Sequence, residues 1–240
     1  MITTDQPKIF GDAVIAAVSS RSDGNLKFGL GDDSETLKNR TAFLSKIGID
    51  ISQTSLVGIT YDTDDFTKYR IADVRDKSIG MLEADMSEYV DALVVRDTRH
   101  ALFLPLADCA GVILYDPNNR ALMVSHLGRH SVEQEGAKKS VAYLEAHCNS
   151  DPGELLVWIS PSVGNATYPL HTFGGKSLQE VIVAQFKEAG VKDDRIETSH
   201  IDTAHDPNYF SHSEYLKGNE PEAGRFAVVA EMTAQGEPAI

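Results

Sequence analysis

Two β-rich runs, "GVILY" over 111–115 and "ALMVS" over 121–125, flank the polar break "DPNNR". No other feature of the chain restricts its fold as tightly. Proline presets φ and asparagine tolerates left-handed geometry, so a break of this kind between two such runs closes a β-hairpin. Pairing Asp116 with Arg120 or with Ala121 puts Cys109 opposite residue 127 or 128, beside His126. One of only two cysteines thus meets a histidine at the open end of the hairpin.

Further runs extend the pattern. "ISQTSLVGITYD", "DALVVRD", "HALFLPLAD", "ELLVWIS" and "GRFAVVAEM" have strand composition. Asp32 with Glu35 three residues on resembles a capping box, followed by an apolar stripe of Leu37, Phe43, Leu44 and Ile47 and a stop at Gly48. "SVEQEGAKKSVAYLEAHC" reads as one helix with Ala137, Val141, Leu144 and Cys148 on a single face, and "KSLQEVIVAQFKEAG" as a second. Residues 62–86 read as an irregular charged loop, and 232–240 as a frayed tail. Strands and helices mix without βαβα alternation. The expected fold is α+β: mixed β-sheets flanked by helices, layered in one domain spanning 1–240.

Composition narrows the partners. A net charge of -14 repels duplex nucleic acid and anionic membranes at long range. It leaves room for a small anion in a locally basic pocket. No apolar run reaches the ~20 residues that span a bilayer, and "MITTDQPKIF" lacks the plan of a signal peptide. Two cysteines make no disulfide framework, so a reducing cytoplasm is expected.

The residues leave three readings of Cys109 and His126 open. They can be a buried cysteine and an unrelated surface histidine. They can be metal ligands, since thiolate and imidazole both bind zinc. They can be a thiolate–imidazole nucleophile that hydrolyses an ester or amide.

The strand end "LADC", the run "VILYDP" and the strand "SHLGRH" resemble those of the laccase-domain, or YfiH-type, proteins, where the pieces read "TADC", an apolar strand with "DP" at its turn, and "HAGWRG". "GDDSETLKNRTAFLSKIGI", "DALVVRD", "WISPSVGNATY", "YFSHSE" and "AGRFAVV" match further family segments in order. The resemblance implies a YfiH-like fold and a mononuclear zinc held by one Cys and two His. It also implies phosphorolysis of purine nucleosides with phosphate, or deamination of adenosine. The older multicopper label fits poorly, because one cysteine and scattered histidines do not assemble several copper sites. Some bacterial members resemble editors of peptidoglycan precursors.

By that resemblance Cys109 and His126 match the cysteine ligand and one histidine ligand, and Asp108 orients a ligand or shuttles a proton. Arg40 and Arg129 are expected to bind a substrate phosphate as planar donors. The family's other ligand histidine lies in "QVHG". Keeping Gln53 in register puts Ser55 at its place, facing the same cavity as a substrate contact. Other departures are Arg129 for the family's Trp, His130 for its Arg, and "SHSE" for "SYRR". They imply a rebuilt site with weakened or lost activity, a metal-independent Cys–His hydrolase, or an inactive binding module. His130, His171, His200, His205 and His212 are the remaining candidates for a third ligand.

Overall fold

The computed structural model describes residues 1–84, 86 and 88–234. Its strands are β1 (Val14–Val18), β2 (Thr54–Leu56), β3 (Tyr69–Ile71), β4 (Ala92–Val95), β5 (Ala101–Leu106), β6 (Ala110–Asp116), β7 (Ala121–Leu127), β8 (Leu156–Ile159), β9 (Ile196–Thr198) and β10 (Phe226–Met232). Its helices are α1 (Asp33–Lys46), α2 (Arg129–Glu133), α3 (Gly136–Cys148), α4 (Leu178–Glu188) and α5 (His212–Leu216). One sheet runs β1-β10-β5-β2 and the other β3-β4-β7-β6-β8-β9. Each mixes antiparallel with parallel pairs.

The near-continuous apolar runs of β5, β6, β7 and β10 follow from burial on both faces. Leu102, Leu104 and Val228 of one sheet meet Ile113, Val124 and Trp158 of the other in a shared core. The alternate residues Phe103, Ala227 and Val229 turn outward against Phe43 and Leu44 of α1. On the far side, Val112, Leu114 and Met123 pack against Val141 and Leu144 of α3 and Ile182 and Phe186 of α4. The order of layers is therefore helix, sheet, sheet, helices. This is the α+β arrangement of mixed sheets flanked by helices. Among the described residues no helix is long and apolar enough to cross a membrane.

The hairpin pairs Asp116 with Ala121 and Gly111 with His126, so Cys109 stands just past the Ala110–Leu127 pair, opposite Gly128. Leu122 and Val124 face the core between the sheets. Period-two alternation puts His126 on that same face, at the end of the sheet.

Several local expectations change. The strand expected over 51–62 shrinks to β2. Val57 N–H reaches Phe103 O at 2.9 Å, but the next rung needs an N–H from position 105, and Pro105 has none. Pairing stops there and the chain is free to leave the sheet. The helix expected over 131–148 is two, α2 and α3, broken where Glu135 takes a left-handed φ of 60°. Asp32 caps α1 through Ser34 N–H at 2.8 Å rather than through a box with Glu35. Short strands β1, β3 and β9, and helix α5, were not foreseen. Met232 belongs to β10, and Thr233 is fastened to Ala13 O at 3.0 Å and Asp12 O at 2.8 Å, so the frayed tail does not begin at 232. Residues 235–240 of that expected tail lie outside the described residues.

Candidate functional site

Where β5 hands over to β6, the chain crosses from one sheet to the other through Ala107, Asp108 and Cys109. Asp108 turns the corner with a left-handed φ of 71°, a conformation that Asp tolerates better than most residues. Its carboxylate accepts from Thr203 Oγ1 at 3.0 Å and from Ser213 N–H at 2.6 Å. Both oxygens are engaged in holding loops to the corner. Asp108 borders the site, but the structure gives its carboxylate an anchoring position rather than a free catalytic one.

Beside the corner lies a cavity of about 460 Å³. Cys109, half-buried and free, lines it together with His126, which is 3% exposed. Among the described residues neither ring nitrogen of His126 has a hydrogen-bond partner. Asp91, just ahead of β4, stands behind the ring with Oδ1 3.9 Å from Nδ1. A Cβ on Gly128 would fall 2.8 Å from Cys109 Sγ and 3.6 Å from His126 Nε2, so the two side chains converge on space that only glycine leaves open. The Tyr61 hydroxyl lies 3.8 Å from Cys109 Sγ, and its ring meets His126 edge-on at 6.3 Å.

The electrostatics follow from this packing. Burial works against a charged His126, but the Cys109 thiolate and Asp91 outweigh it and raise the imidazole to about 9. Burial likewise opposes a Cys109 thiolate, and His126 and Tyr61 reverse the balance, leaving the thiol below its ordinary value. The Cys109 charge, with burial, pushes the Tyr61 phenol upward, so it stays a donor.

Two cations face this group. Lys27 and Arg225 both line the cavity, and among the described residues neither makes an ion pair. Burial lowers both, and Arg225 lowers Lys27 further. Arg129 is exposed at the cavity edge with Nη2 3.2 Å from His130 Nε2. The His130 ring stacks on Phe66 at 4.6 Å.

Cys109, His126, Asp108 and Arg129 thus share one cavity. Ser55 and Arg40 do not. Ser55 is buried, with Oγ 2.8 Å from both Asp76 O and His100 Nε2. From the upstream segment it is Tyr61, not Ser55, that reaches Cys109. Arg40 donates to the carbonyls of Leu26, Gly80 and Met81 at 2.8, 2.7 and 3.1 Å. It touches a smaller neighbouring cavity of about 350 Å³, not the one holding Cys109.

The zinc expectation is tested by the donor set. His126 offers an unsatisfied nitrogen and Cys109 a sulfur. A catalytic zinc takes three protein ligands. Among the described residues no group of three or more His, Cys, Asp or Glu is arranged to hold a metal ion. Of the candidate third ligands, His130 and His212 reach the cavity wall, His205 binds Asp202 at 2.7 Å, and His171 and His200 are exposed elsewhere. The residues present do not fit a three-ligand zinc, nor a copper cluster.

Sequence reasoning missed Tyr61, Asp91, Lys27 and Arg225. Only Asp91 left a local signal, the acid opening "DALVV", a strand whose natural neighbour is the one carrying His126.

Comparison with known proteins agrees with the architecture. The fold resembles the crystal structure of the hypothetical protein YfiH from Bacillus licheniformis, with a TM-score of 0.82 and 18% identity over 92% of this chain and 93% of that one. It resembles YlmD from Geobacillus stearothermophilus equally, with a TM-score of 0.82 and 16% identity over 97% and 98%. A purine nucleoside phosphorylase from Bacteroides thetaiotaomicron is 23% identical over 138 residues, 58% of this chain and 50% of that protein. The chain thus spans about half the length of the curated relative it matches. A family model described as multi-copper polyphenol oxidoreductase laccase matches residues 16–175 of the 240, from β1 through the hairpin and α3 to the loop before α4. On that span, which includes Cys109, His126 and their partners, the chain belongs to the multi-copper polyphenol oxidoreductase laccase family.

Proposed function

We propose that the cavity beside Cys109 binds a purine nucleoside together with phosphate, and that the chain is a slow, phosphate-dependent nucleoside phosphorylase. One observation carries the reading. Lys27 and Arg225 line the cavity and among the described residues neither is ion-paired, the bordering Asp108 carboxylate being held by Thr203 and Ser213, an arrangement that favours an anion. The volume, about 460 Å³, suits a nucleoside-sized ligand. The likeness to a purine nucleoside phosphorylase supports the same class.

In this reading Lys27 and Arg225 hold phosphate, with Arg129 at the mouth. Phe66 and Tyr168 give the purine apolar walls. A phosphate oxygen attacks the anomeric carbon, the bond to the base breaks, and the His126 imidazolium protonates the leaving nitrogen. No step passes through zinc. Adenosine deamination is the weaker reading, because it needs a metal-activated water that two ligands do not hold well. Cys109 and Cys148 are free thiols, and we place the protein in the cytoplasm, where thiols stay reduced.

The test is chromatographic assay of inosine and adenosine with and without phosphate, and with a chelator. Free base and ribose phosphate should appear only with phosphate and regardless of chelator. Lys27→Met should raise the KM for phosphate about 10-fold or more, as loss of one charge-assisted contact does. Base release without phosphate, or none at all, would refute the reading.

A further inference from the structure

We propose that Cys109 and His126, backed by Asp91, form a metal-free nucleophilic centre that takes acyl groups from small anionic esters or thioesters. The inference goes beyond nucleoside chemistry but uses the same cavity, sharing with that reading His126 and the cationic wall of Lys27 and Arg225.

Four observations support it. His126 is 3% exposed and lines the cavity, and among the described residues neither ring nitrogen is hydrogen-bonded, so a buried polar group waits for a partner there. Such a group normally costs stability unless a function retains it. The Cys109 thiol is free, lines the same cavity and converges with Nε2 on the gap at Gly128. Asp91 stands behind Nδ1 at 3.9 Å, itself held by Lys68 N–H at 3.1 Å. This is the nucleophile, base and orienting carboxylate of a thiol-dependent acyl transferase. Finally, among the described residues no third ligand is arranged with them to commit the thiolate to a metal.

The chemistry balances without a further reagent. Cys109 passes its proton to His126, and the thiolate attacks the acyl carbon. The carbon–sulfur bond forms as the carbonyl electron pair moves to oxygen. On collapse the bond to the leaving group breaks, and the departing alcohol or thiol takes the proton from His126. Water then attacks the thioester, giving a proton to His126. The carbon–sulfur bond breaks, the acid leaves and the thiol is restored.

The site also restricts the substrate. Among the described residues the Tyr61 hydroxyl is within hydrogen-bond reach of Cys109 Sγ, at 3.8 Å, and would donate to the developing oxyanion. A phenol donor there suits esters and thioesters, whose leaving groups depart readily, more than amides. Lys27 and Arg225 on the same cavity select an acyl group bearing a carboxylate or phosphate.

The full chain is mixed with 4-nitrophenyl hydrogen succinate or with neutral 4-nitrophenyl acetate, with zinc or with a chelator. Nitrophenolate release is followed, and the acylated peptide is located by mass spectrometry. The expected result is a burst of one nitrophenolate per chain, succinyl on Cys109, a lower KM for the succinate ester, and no effect of chelator. Cys109→Ser should abolish the burst, and His126→Gln should slow it about 10²-fold or more. Asp91→Asn, a positioning change, should lower kcat with KM unchanged. Thermal unfolding of each variant separates lost chemistry from lost fold, and prior alkylation of the parent by iodoacetamide should block the burst without any mutation. An unmodified Cys109, an equal rate in a folded His126→Gln protein, or chelator-sensitive turnover would each overturn the proposal. Purine release is a separate readout, so either reading can fail alone.

Discussion

Arg40 illustrates how a residue matched by motif can serve the fold. Its guanidinium satisfies the carbonyls of Leu26, Gly80 and Met81 and lies over the Phe28 ring at 4.1 Å. Burial lowers it to about 10. A lysine cannot reproduce that fork. Arg40→Lys should therefore lower stability by about 2–3 kcal/mol, read as an earlier urea midpoint. A role in the Cys109 cavity would instead raise KM with the midpoint unchanged. Sequence legibility at this scale tracks chain separation. Cys109 and His126 were readable because a local hairpin joins them. Lys27 and Arg225 meet only after β10 has threaded between β1 and β5, and nothing in their own neighbourhoods announces it. Tyr61 was hidden for another reason: its position depends on where β2 stops, and a proline on a different strand decides that.

Among the elements, the β6–β7 hairpin sets the site, and its turn is built around Asp116. That carboxylate is fully buried and accepts from Asn118 N–H at 2.8 Å, Asn119 N–H at 3.1 Å and Asn119 Nδ2 at 2.9 Å. Burial raises its pKa, but the donors outweigh burial and hold it below the ordinary value. A depressed carboxylate contributes stability that is present above its unfolded value, near 4, and is lost as pH falls through the folded value. Asp116→Asn should thus cost about 1–2 kcal/mol at neutral pH. The gap to the parent should narrow below about pH 4. Urea unfolding of both proteins at pH 7 and pH 3 measures it; a gap independent of pH would assign the loss to geometry instead. The position of the turn was visible in "DPNNR", although the residue that takes the left-handed geometry is Arg120, with φ 50°, rather than an asparagine; the long apolar strands and the faces of α3 and α4 were visible as well. The three-residue strands β3 and β9 were not, because their ladders depend on what β4 and β8 offer them.

At the scale of the whole molecule, the two sheets share one interior, and the site sits where the chain crosses between them. Leu104 belongs to the first sheet and Trp158, the sole tryptophan, to the second, yet both lie in the same buried cluster. Neither sheet can expose its inner face without exposing the other's. We therefore expect the described chain to unfold as one cooperative unit, in keeping with a single domain. Leu104→Ala should cost about 2–5 kcal/mol, the range for a truncated core leucine. The loss should move the Trp158 fluorescence transition and the far-ultraviolet circular dichroism transition together, although the mutation and the fluorophore are in different sheets. If fluorescence stayed at the parental midpoint while circular dichroism shifted, the sheets would be separable. Cys109, at the crossing between them, would then be held by only one. Because β5 and β6 are consecutive and lie in different sheets, coincident transitions would also mean that the Cys109–His126 geometry persists until the whole fold is lost. Alkylation of Cys109 in rising urea should then follow the same midpoint as both spectroscopic probes.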